Sequence, residues 1–187
     1  MITVKALENS SSASDYYKAA DYYTKDDSVD SLSYWQGKGA ISLGLQGEVD
    51  KNKFKELLDG KIDDVQLGRK TKDGIEHKPG WDLTFSVPKS VSLVALIGGD
   101  KRLITAVKSA NDQAIAYIEK NYAITRLYKN GKLEYSNKQN LTVASFLQTT
   151  SRELDPQLHV HNPVLNMVQD ESGKWRSLES HPFYEYQ

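Results

Sequence analysis

The sequence predicts a single α+β domain, with helices in the first two thirds and antiparallel strands concentrated in the last third. Apolar residues recur three and four positions apart between residues 103 and 118, which predicts a long amphipathic helix. After residue 124, short apolar runs are separated by turn residues such as Asn130-Gly131, which predicts hairpins. The 187 residues are enough to build one hydrophobic core.

Two helices are predicted before residue 60. One covers residues 15–25, and the other covers residues 51–58 with its apolar side chains on one face. A glycine-rich stretch, residues 37–47, separates them. Residues 59–80 are polar and contain four glycines, so we expect turns there.

A strand and two further helices are predicted next. Residues 81–87 alternate between apolar and polar types, which places Asp82 on the polar face of a short strand. Pro88 suits the first turn of a helix that carries residues 91–97. Asp100 suits the N-cap of the long helix that follows.

The remaining chain is predicted to form strands. Asn130-Gly131 and Gly173 indicate hairpin turns. The predicted strands cover residues 124–128, 133–135, 141–150, 158–168 and 175–178.

The composition excludes several classes of protein and site. The chain has no cysteine, which excludes disulfides, thiolate nucleophiles and cysteine-based zinc sites. No apolar run approaches the roughly 20 residues that cross a bilayer, so we expect no membrane insertion. The N-terminus lacks the pattern of a secretory signal, and we expect a cytoplasmic protein.

The net charge of −1 conceals a gradient along the chain. Residues 1–50 hold four Lys/Arg and eight Asp/Glu, whereas residues 101–138 hold eight Lys/Arg and three Asp/Glu. The basic stretch either faces phosphate groups or is the solvated face of a helix and its hairpin.

Two histidines indicate a metal site. His159 and His161 lie two residues apart in a predicted strand, so their side chains share a face and can bind one ion. The alternative is a pair of partly exposed strand histidines. Gln148 in the preceding strand is the best third ligand, and its carbonyl oxygen suits Mg²⁺ or Mn²⁺. Asp82 can orient an imidazole or take a proton, unless it only caps a helix or pairs with a lysine.

Four tyrosines near the N-terminus form two pairs, Tyr16-Tyr17 and Tyr22-Tyr23. On one helix the equivalent members of the pairs would point about 120° apart. Packing in the core is one explanation, and nucleophilic catalysis is the other. A tyrosine pKa near 10 leaves about one phenolate per thousand at pH 7, so a metal ion and a base would have to assist.

Four blocks carry a family resemblance over nearly the whole chain: YY-x4-YY, WQGKGAISLGLQGEVD, GWDLTFSVPKSVSLVAL and TSRELDPQLHVHNPVLNM. In this order they resemble the N-terminal relaxase domain of the TrwC/TraI group of conjugative relaxases, the MobF class of HUH endonucleases. The resemblance implies a palm-type fold with a central antiparallel sheet flanked by helices, and a relaxase domain over residues 1–187 that is cut short at its C-terminus.

The implied activity is site- and strand-specific nicking of DNA at the origin of transfer of a conjugative element. The family pattern assigns the nucleophile to Tyr16, which forms a 5'-phosphotyrosyl bond, and a second transfer to Tyr22, with Tyr17 and Tyr23 as auxiliary tyrosines. Asp82 matches the carboxylate that assists the metal histidines or the nucleophile.

The resemblance also implies partners and one departure. The partners are single-stranded DNA, accessory relaxosome proteins and a type IV secretion coupling protein, in a bacterial cytoplasm from which family members pass to the recipient cell. We expect Lys89 and Arg152 to contact phosphate, and the candidates for base stacking are Tyr17, Tyr23 and Trp81. Gln148 occupies the position of the first of three metal-binding histidines in the family.

Two other functions remain open from the sequence. One is a relaxase-like module that binds single-stranded DNA but is catalytically impaired by Gln148 and the short C-terminus. The other is a two-histidine metal hydrolase unrelated to DNA.

Overall fold

A computed structural model of the chain describes residues 1–10, 13, 33–72, 74–151 and 153–184. The helix predicted over residues 15–25 lies outside these ranges. The residues expected to act in catalysis or DNA binding that also lie outside them are Tyr16, Tyr17, Tyr22, Tyr23 and Arg152.

The described elements are thirteen strands and five helices, numbered in chain order. The strands are β1 (Ile2–Ala6), β2 (Ser33–Gln36), β3 (Lys61–Ile62), β4 (Val65–Gln66), β5 (Arg69–Thr71), β6 (Gly74–Glu76), β7 (Gly80–Ser86), β8 (Ile124–Lys129), β9 (Lys132–Asn137), β10 (Val143–Thr150), β11 (Pro156–Leu165), β12 (Val168–Gln169) and β13 (Trp175–Arg176). The helices are α1 (Lys38–Ser42), α2 (Lys51–Leu58), α3 (Lys89–Leu96), α4 (Lys101–Tyr122) and α5 (His181–Tyr184).

A five-stranded sheet organises the fold. Its strand order is β1-β7-β11-β10-β2, and every neighbouring pair is antiparallel. The remaining strands form four small two-stranded sheets among the described residues. The α+β class and the central antiparallel sheet are therefore confirmed. Strands β1 and β2 and helix α1, which lies within the glycine-rich stretch, were not predicted from the sequence.

The two faces of the sheet are covered differently. On one face, α3 and α4 pack against the even-numbered side chains of β11, including Leu158 and Val160. On the other face, α2 buries Phe54 against Phe146 of β10, with ring centroids 5.5 Å apart. The apolar cluster around Phe54 and Phe146 covers the part of this face formed by β10 and β2. Polar side chains of β7 and β11 occupy the rest of that face.

The inner face of α4 includes most of the predicted apolar stripe and three residues besides. Leu103 and Ile118 of the stripe are partly buried and pack against the core, whereas Ala110 is exposed. The fully buried residues of the helix are spaced four apart and are Asn111, Ile115 and Glu119. Two of the three buried residues are polar because each has buried hydrogen-bond partners across the interface. The helix therefore docks through specific polar contacts as well as through apolar area.

The carboxylate of Glu119 joins three segments. Its Oε1 accepts hydrogen bonds from the backbone N–H of Lys38, at 2.7 Å, and of Leu141, at 2.9 Å. Gly37 lies directly beside this contact with φ of 90°, and a Cβ there would approach the Leu141 carbonyl oxygen to 2.2 Å. Glycine is therefore required at position 37 for α1, α4 and the start of β10 to meet.

No helix in the described ranges is long and apolar enough to cross a membrane.

We expect Glu119→Ala to reduce the free energy of unfolding by about 2–4 kcal/mol, because two buried backbone donors would lose their acceptor. Glu119→Gln retains an oxygen at the same place and should cost less than about half of that. Urea unfolding at pH 7 checks both variants. Equal losses in the two variants would show that the acceptor oxygen is not what stabilises this junction.

The stability of the wild type should also depend on pH differently from that of Glu119→Gln. Burial raises the pKa of Glu119 above its ordinary value of 4.5, against the opposing effect of the two backbone hydrogen bonds. The folded protein therefore holds this proton more tightly than the unfolded chain, and the resulting stability is lost as pH rises through the folded-state pKa. Relative to Glu119→Gln, the wild type should lose stability as pH rises above 4.5. Unfolding curves measured between pH 4 and pH 8 test this.

Candidate active site

The register of three strands places the predicted metal residues on one face of the sheet. His161 lies opposite Thr84, and His159 lies between Ser86 on β7 and Gln148 on β10. Because side chains alternate along a strand, Asp82 and Thr84 share the face that carries both histidines. The prediction that His159 and His161 share a face is confirmed, and β7 is their neighbour.

Asp82, Thr84 and His161 form a closed group. His161 Nδ1 lies 2.6 Å from Asp82 Oδ2 and 3.0 Å from Thr84 Oγ1, and Thr84 Oγ1 lies 3.2 Å from Asp82 Oδ2. Since a carboxylate only accepts hydrogen bonds, Nδ1 of His161 carries a hydrogen, and this N–H donates a hydrogen bond to Asp82. Asp82 therefore orients His161, rather than capping a helix or pairing with a lysine.

His159 is oriented by the backbone. Its Nδ1 lies 2.9 Å from the carbonyl oxygen of Gln157, so this nitrogen is also the protonated one. Burial lowers the pKa of His159, and the neighbouring His161 lowers it further. The neutral imidazole, which is the form that binds metal ions, is thus favoured. The two rings lie with centroids 5.0 Å apart, and in both the unprotonated nitrogen is Nε2.

Both histidines are nearly buried, with 9% of His159 and 8% of His161 exposed. The alternative was wrong in describing them as partly exposed, and metal binding by the pair stays a prediction.

Gln148 lies where a third ligand would be needed. Its side-chain Nε2 is buried and has no hydrogen-bond partner among the described residues. Within the same residues, no three His, Cys, Asp or Glu side chains converge on one point. An amide binds a cation through its oxygen, so two imidazoles and the Gln148 oxygen would suit a divalent ion, though less well than three imidazoles would.

The histidines open into a polar cleft of about 480 Å³. Glu153 and Asp155 line it together with His159 and His161, and the described lining residues include no lysine or arginine. The described lining therefore offers an anionic ligand two carboxylates and no cation, so a positive charge added there would favour the binding of a phosphate group.

Contacts on the face of the sheet that α3 and α4 cover hold β11 in place. The hydroxyl of Ser92 on α3 accepts a hydrogen bond of 2.9 Å from the backbone N–H of Leu158. Asn162, next to His161, exchanges two amide hydrogen bonds with Asn111 of α4. Its backbone N–H donates to Asp82 Oδ1 at 3.2 Å. Sequence reasoning missed these residues, because a polar side chain on a buried face carries no signal until its partner is known.

Sequence reasoning also missed Thr84, although a signal existed. The strand pattern that put Asp82 on the polar face puts Thr84 on the same face, two residues along.

Two other predicted residues can be placed. Lys89 begins α3 at the rim of the cleft and is half exposed, with Nζ 3.6 Å from Asp155. Trp81 is only 2% exposed and packs against Phe183, with ring centroids 5.5 Å apart. Trp81 cannot stack on a base because its strand position points it into the core, so that expectation was wrong.

The chain is similar to known proteins over most of its length. A family model described as TrwC relaxase matches residues 9–187. The multifunctional conjugation protein TraI of Escherichia coli is 43% identical over 181 residues, which are 96% of this chain and 10% of that protein. TraI of E. coli strain K12 is 42% identical over the same length. The chain thus spans about a tenth of the length of these curated relatives.

Solved structures match over almost the entire chain. The conjugative relaxase TrwC in complex with oriT DNA, in its metal-bound form, superposes with a TM-score of 0.87 at 39% identity, covering 99% of this chain and 63% of that one. A copper-bound form of that complex gives 0.86 at 40% identity, with 99% and 64% covered. TrwC with a 27-mer DNA that comprises the recognition hairpin and the cleavage site gives 0.81 at 39% identity, with 99% and 62% covered.

We expect Gln148→His to bind Mn²⁺ at least about tenfold more tightly than the wild type, because imidazole is a stronger ligand than an amide for such ions. Gln148→Leu, which is similar in size but offers no ligand atom, should bind more weakly than the wild type. Isothermal titration calorimetry of the three proteins measures this. Equal affinities for Gln148→His and Gln148→Leu would place the third ligand elsewhere.

Proposed function

The chain belongs to the TrwC relaxase family, and from that premise we propose that it nicks one strand of DNA at the origin of transfer of a conjugative element and transfers the cut strand. The observation that carries this proposal is the group on β7, β10 and β11, where Asp82 orients His161 beside His159 and Gln148. Such a group can bind a cation next to a phosphodiester, and the polar cleft gives a strand access to it.

We assign the nucleophile to Tyr16. Its phenolic oxygen attacks the phosphorus of the scissile phosphodiester, forming a tyrosine–phosphorus bond as the bond to the 3'-oxygen breaks. The phenolic proton leaves to a base, and the departing 3'-oxygen takes up a proton to become a free hydroxyl. One ester replaces another, so the intermediate retains the energy needed to rejoin the strand. Tyr22 is assigned to the second transfer, with Tyr17 and Tyr23 as auxiliary tyrosines.

His159, His161 and Gln148 would hold a divalent ion, for which we propose Mg²⁺ or Mn²⁺. Such an ion supplies positive charge that withdraws electron density from the phosphodiester. The residues of this chain supply the framework for it. Asp82 fixes the proton on Nδ1 of His161, and the Gln157 carbonyl does the same for His159. Such a cation would offset the repulsion between a phosphate group and the carboxylates of the described lining.

The DNA partner is proposed to be single-stranded, held partly by Lys89 and Arg152. We propose that residues 1–187 belong to the nicking domain. The proposal includes accessory relaxosome proteins and a coupling protein as further partners, in the bacterial cytoplasm.

Formation of a covalent adduct is the decisive test. We expect the protein to form an SDS-resistant complex, in the presence of Mn²⁺, with a single-stranded oligonucleotide from the transfer origin of its own element. Tyr16→Phe should reduce the adduct to background, because it removes the attacking oxygen. Tyr22→Phe should leave the first adduct intact, and peptide mass spectrometry should locate the DNA on Tyr16.

An undiminished adduct in Tyr16→Phe would overturn the assignment of the nucleophile. Specific binding without any adduct would favour the impaired DNA-binding module instead. Cleavage gained by Gln148→His would then identify the glutamine as the cause.

The proposed phosphate contact of Lys89 predicts how the affinity for single-stranded DNA depends on salt. If it contacts one phosphate, Lys89→Ala should weaken binding of single-stranded DNA and reduce the slope of log K against log salt by about 0.7. Lys174→Ala, which removes an exposed lysine remote from the cleft, serves as the control and should leave the slope unchanged. Fluorescence anisotropy between 50 and 300 mM salt measures both. An unchanged slope for Lys89→Ala would remove Lys89 from the interface.

A further inference from the structure

We propose that Thr84 is a positioning residue for the site, and that its hydroxyl fixes the Asp82 carboxylate and, through it, the ring of His161. This inference deepens the proposed function and rests on it for its biological meaning. The hydroxyl lies 3.2 Å from Asp82 Oδ2 and 3.0 Å from His161 Nδ1, and Thr84 lies directly opposite His161 in the strand register.

The three groups admit one assignment of protons. Asp82 Oδ2 can only accept, so both neighbouring hydrogens must point at it. Nδ1–H of His161 donates over 2.6 Å, and the hydroxyl of Thr84 donates over 3.2 Å. The oxygen of Thr84, which keeps two lone pairs, then faces Nδ1–H as a weaker second acceptor. In this arrangement His161 is held in the form whose Nε2 is the unprotonated nitrogen.

The hydroxyl matters because Asp82 is nearly buried, with 7% of the residue exposed. Its other oxygen accepts from the backbone N–H of Asn162, so the carboxylate is held at both ends. Without the Thr84 hydroxyl, Oδ2 keeps only its bond to His161, and the carboxylate gains freedom to rotate with the ring. A β-branched side chain on a strand has few rotamers, so Thr84 presents its hydroxyl at little entropic cost.

A matched set of variants separates the hydroxyl from the shape of the side chain. Thr84→Val removes the hydroxyl and retains the branched shape, Thr84→Ser retains the hydroxyl, and Thr84→Ala removes the hydroxyl without adding bulk. Thr3→Val is the control, because Thr3 lies opposite Thr84 on β1, is exposed and receives the same substitution.

The first readout uses neither DNA nor metal. In protein labelled with ¹⁵N-histidine, long-range ¹H–¹⁵N spectra distinguish an imidazole protonated at Nδ1 from one protonated at Nε2. With four histidines in the chain, loss of one signal set in His161→Gln assigns the resonance. We expect His161 to be protonated at Nδ1 in the wild type, in Thr84→Ser and in Thr3→Val. Thr84→Val and Thr84→Ala should keep this tautomer, because Asp82 still accepts from Nδ1–H, but their His161 signals should broaden as the carboxylate and the ring gain motion.

The second readout is Mn²⁺ affinity by calorimetry. We expect Thr84→Val and Thr84→Ala to bind about tenfold more weakly than the wild type, and Thr84→Ser and Thr3→Val to bind within about twofold of it. Variants without the hydroxyl that keep the wild-type line width of the His161 signals and the wild-type affinity would overturn the proposal. So would equal losses in Thr84→Ser and Thr84→Ala.

The third readout is the rate at which the covalent adduct with the oligonucleotide forms. We expect this rate to be lower in the variants that lack the hydroxyl than in those that retain it. If the wild type forms no adduct, the proposed function fails, while the line-width and affinity measurements still decide the role of Thr84.

Discussion

The hydrogen bond between Asp82 and His161 depends on the pairing of β7 with β11, and the candidate site depends on that bond. Side chains alternate along a strand, so a shift of one residue in the register would send Asp82 to the helix-covered face. The observed register also aligns Thr84 with His161 and Ser86 with His159. One strand pairing therefore delivers the carboxylate, the hydroxyl and both imidazoles to the same cleft.

Strand β11 has different environments on its two faces because it lies at the centre of the sheet. On the helix side, Val160 packs in the core and Asn162 pairs with Asn111. On the other side, His159 and His161 reach the cleft. The hidden face resists displacement, since a buried amide pair costs free energy if it separates. Rigid packing on one face thus supports chemistry on the other.

The charges of the cleft explain why a cation belongs there. The described lining contributes the carboxylates of Glu153 and Asp155, and Lys89 at the rim is already close to Asp155. A phosphodiester would be repelled by such a surface. Gln148 adds no charge, and an imidazole at that position would add none either, so the glutamine changes the strength of the ligand and not the charge of the site.

The sequence by itself determined the class of fold, most of the strands from β7 onward, and the candidate metal residues, because period-two alternation and the His159-Val160-His161 spacing are local properties. Only the tertiary structure decided that Asp82 pairs with His161, that Thr84 joins them, and that Asn111 and Glu119 belong to the inner face of α4. These contacts join residues far apart in the chain. Their partners are chosen by strand register and helix docking, which no local pattern specifies.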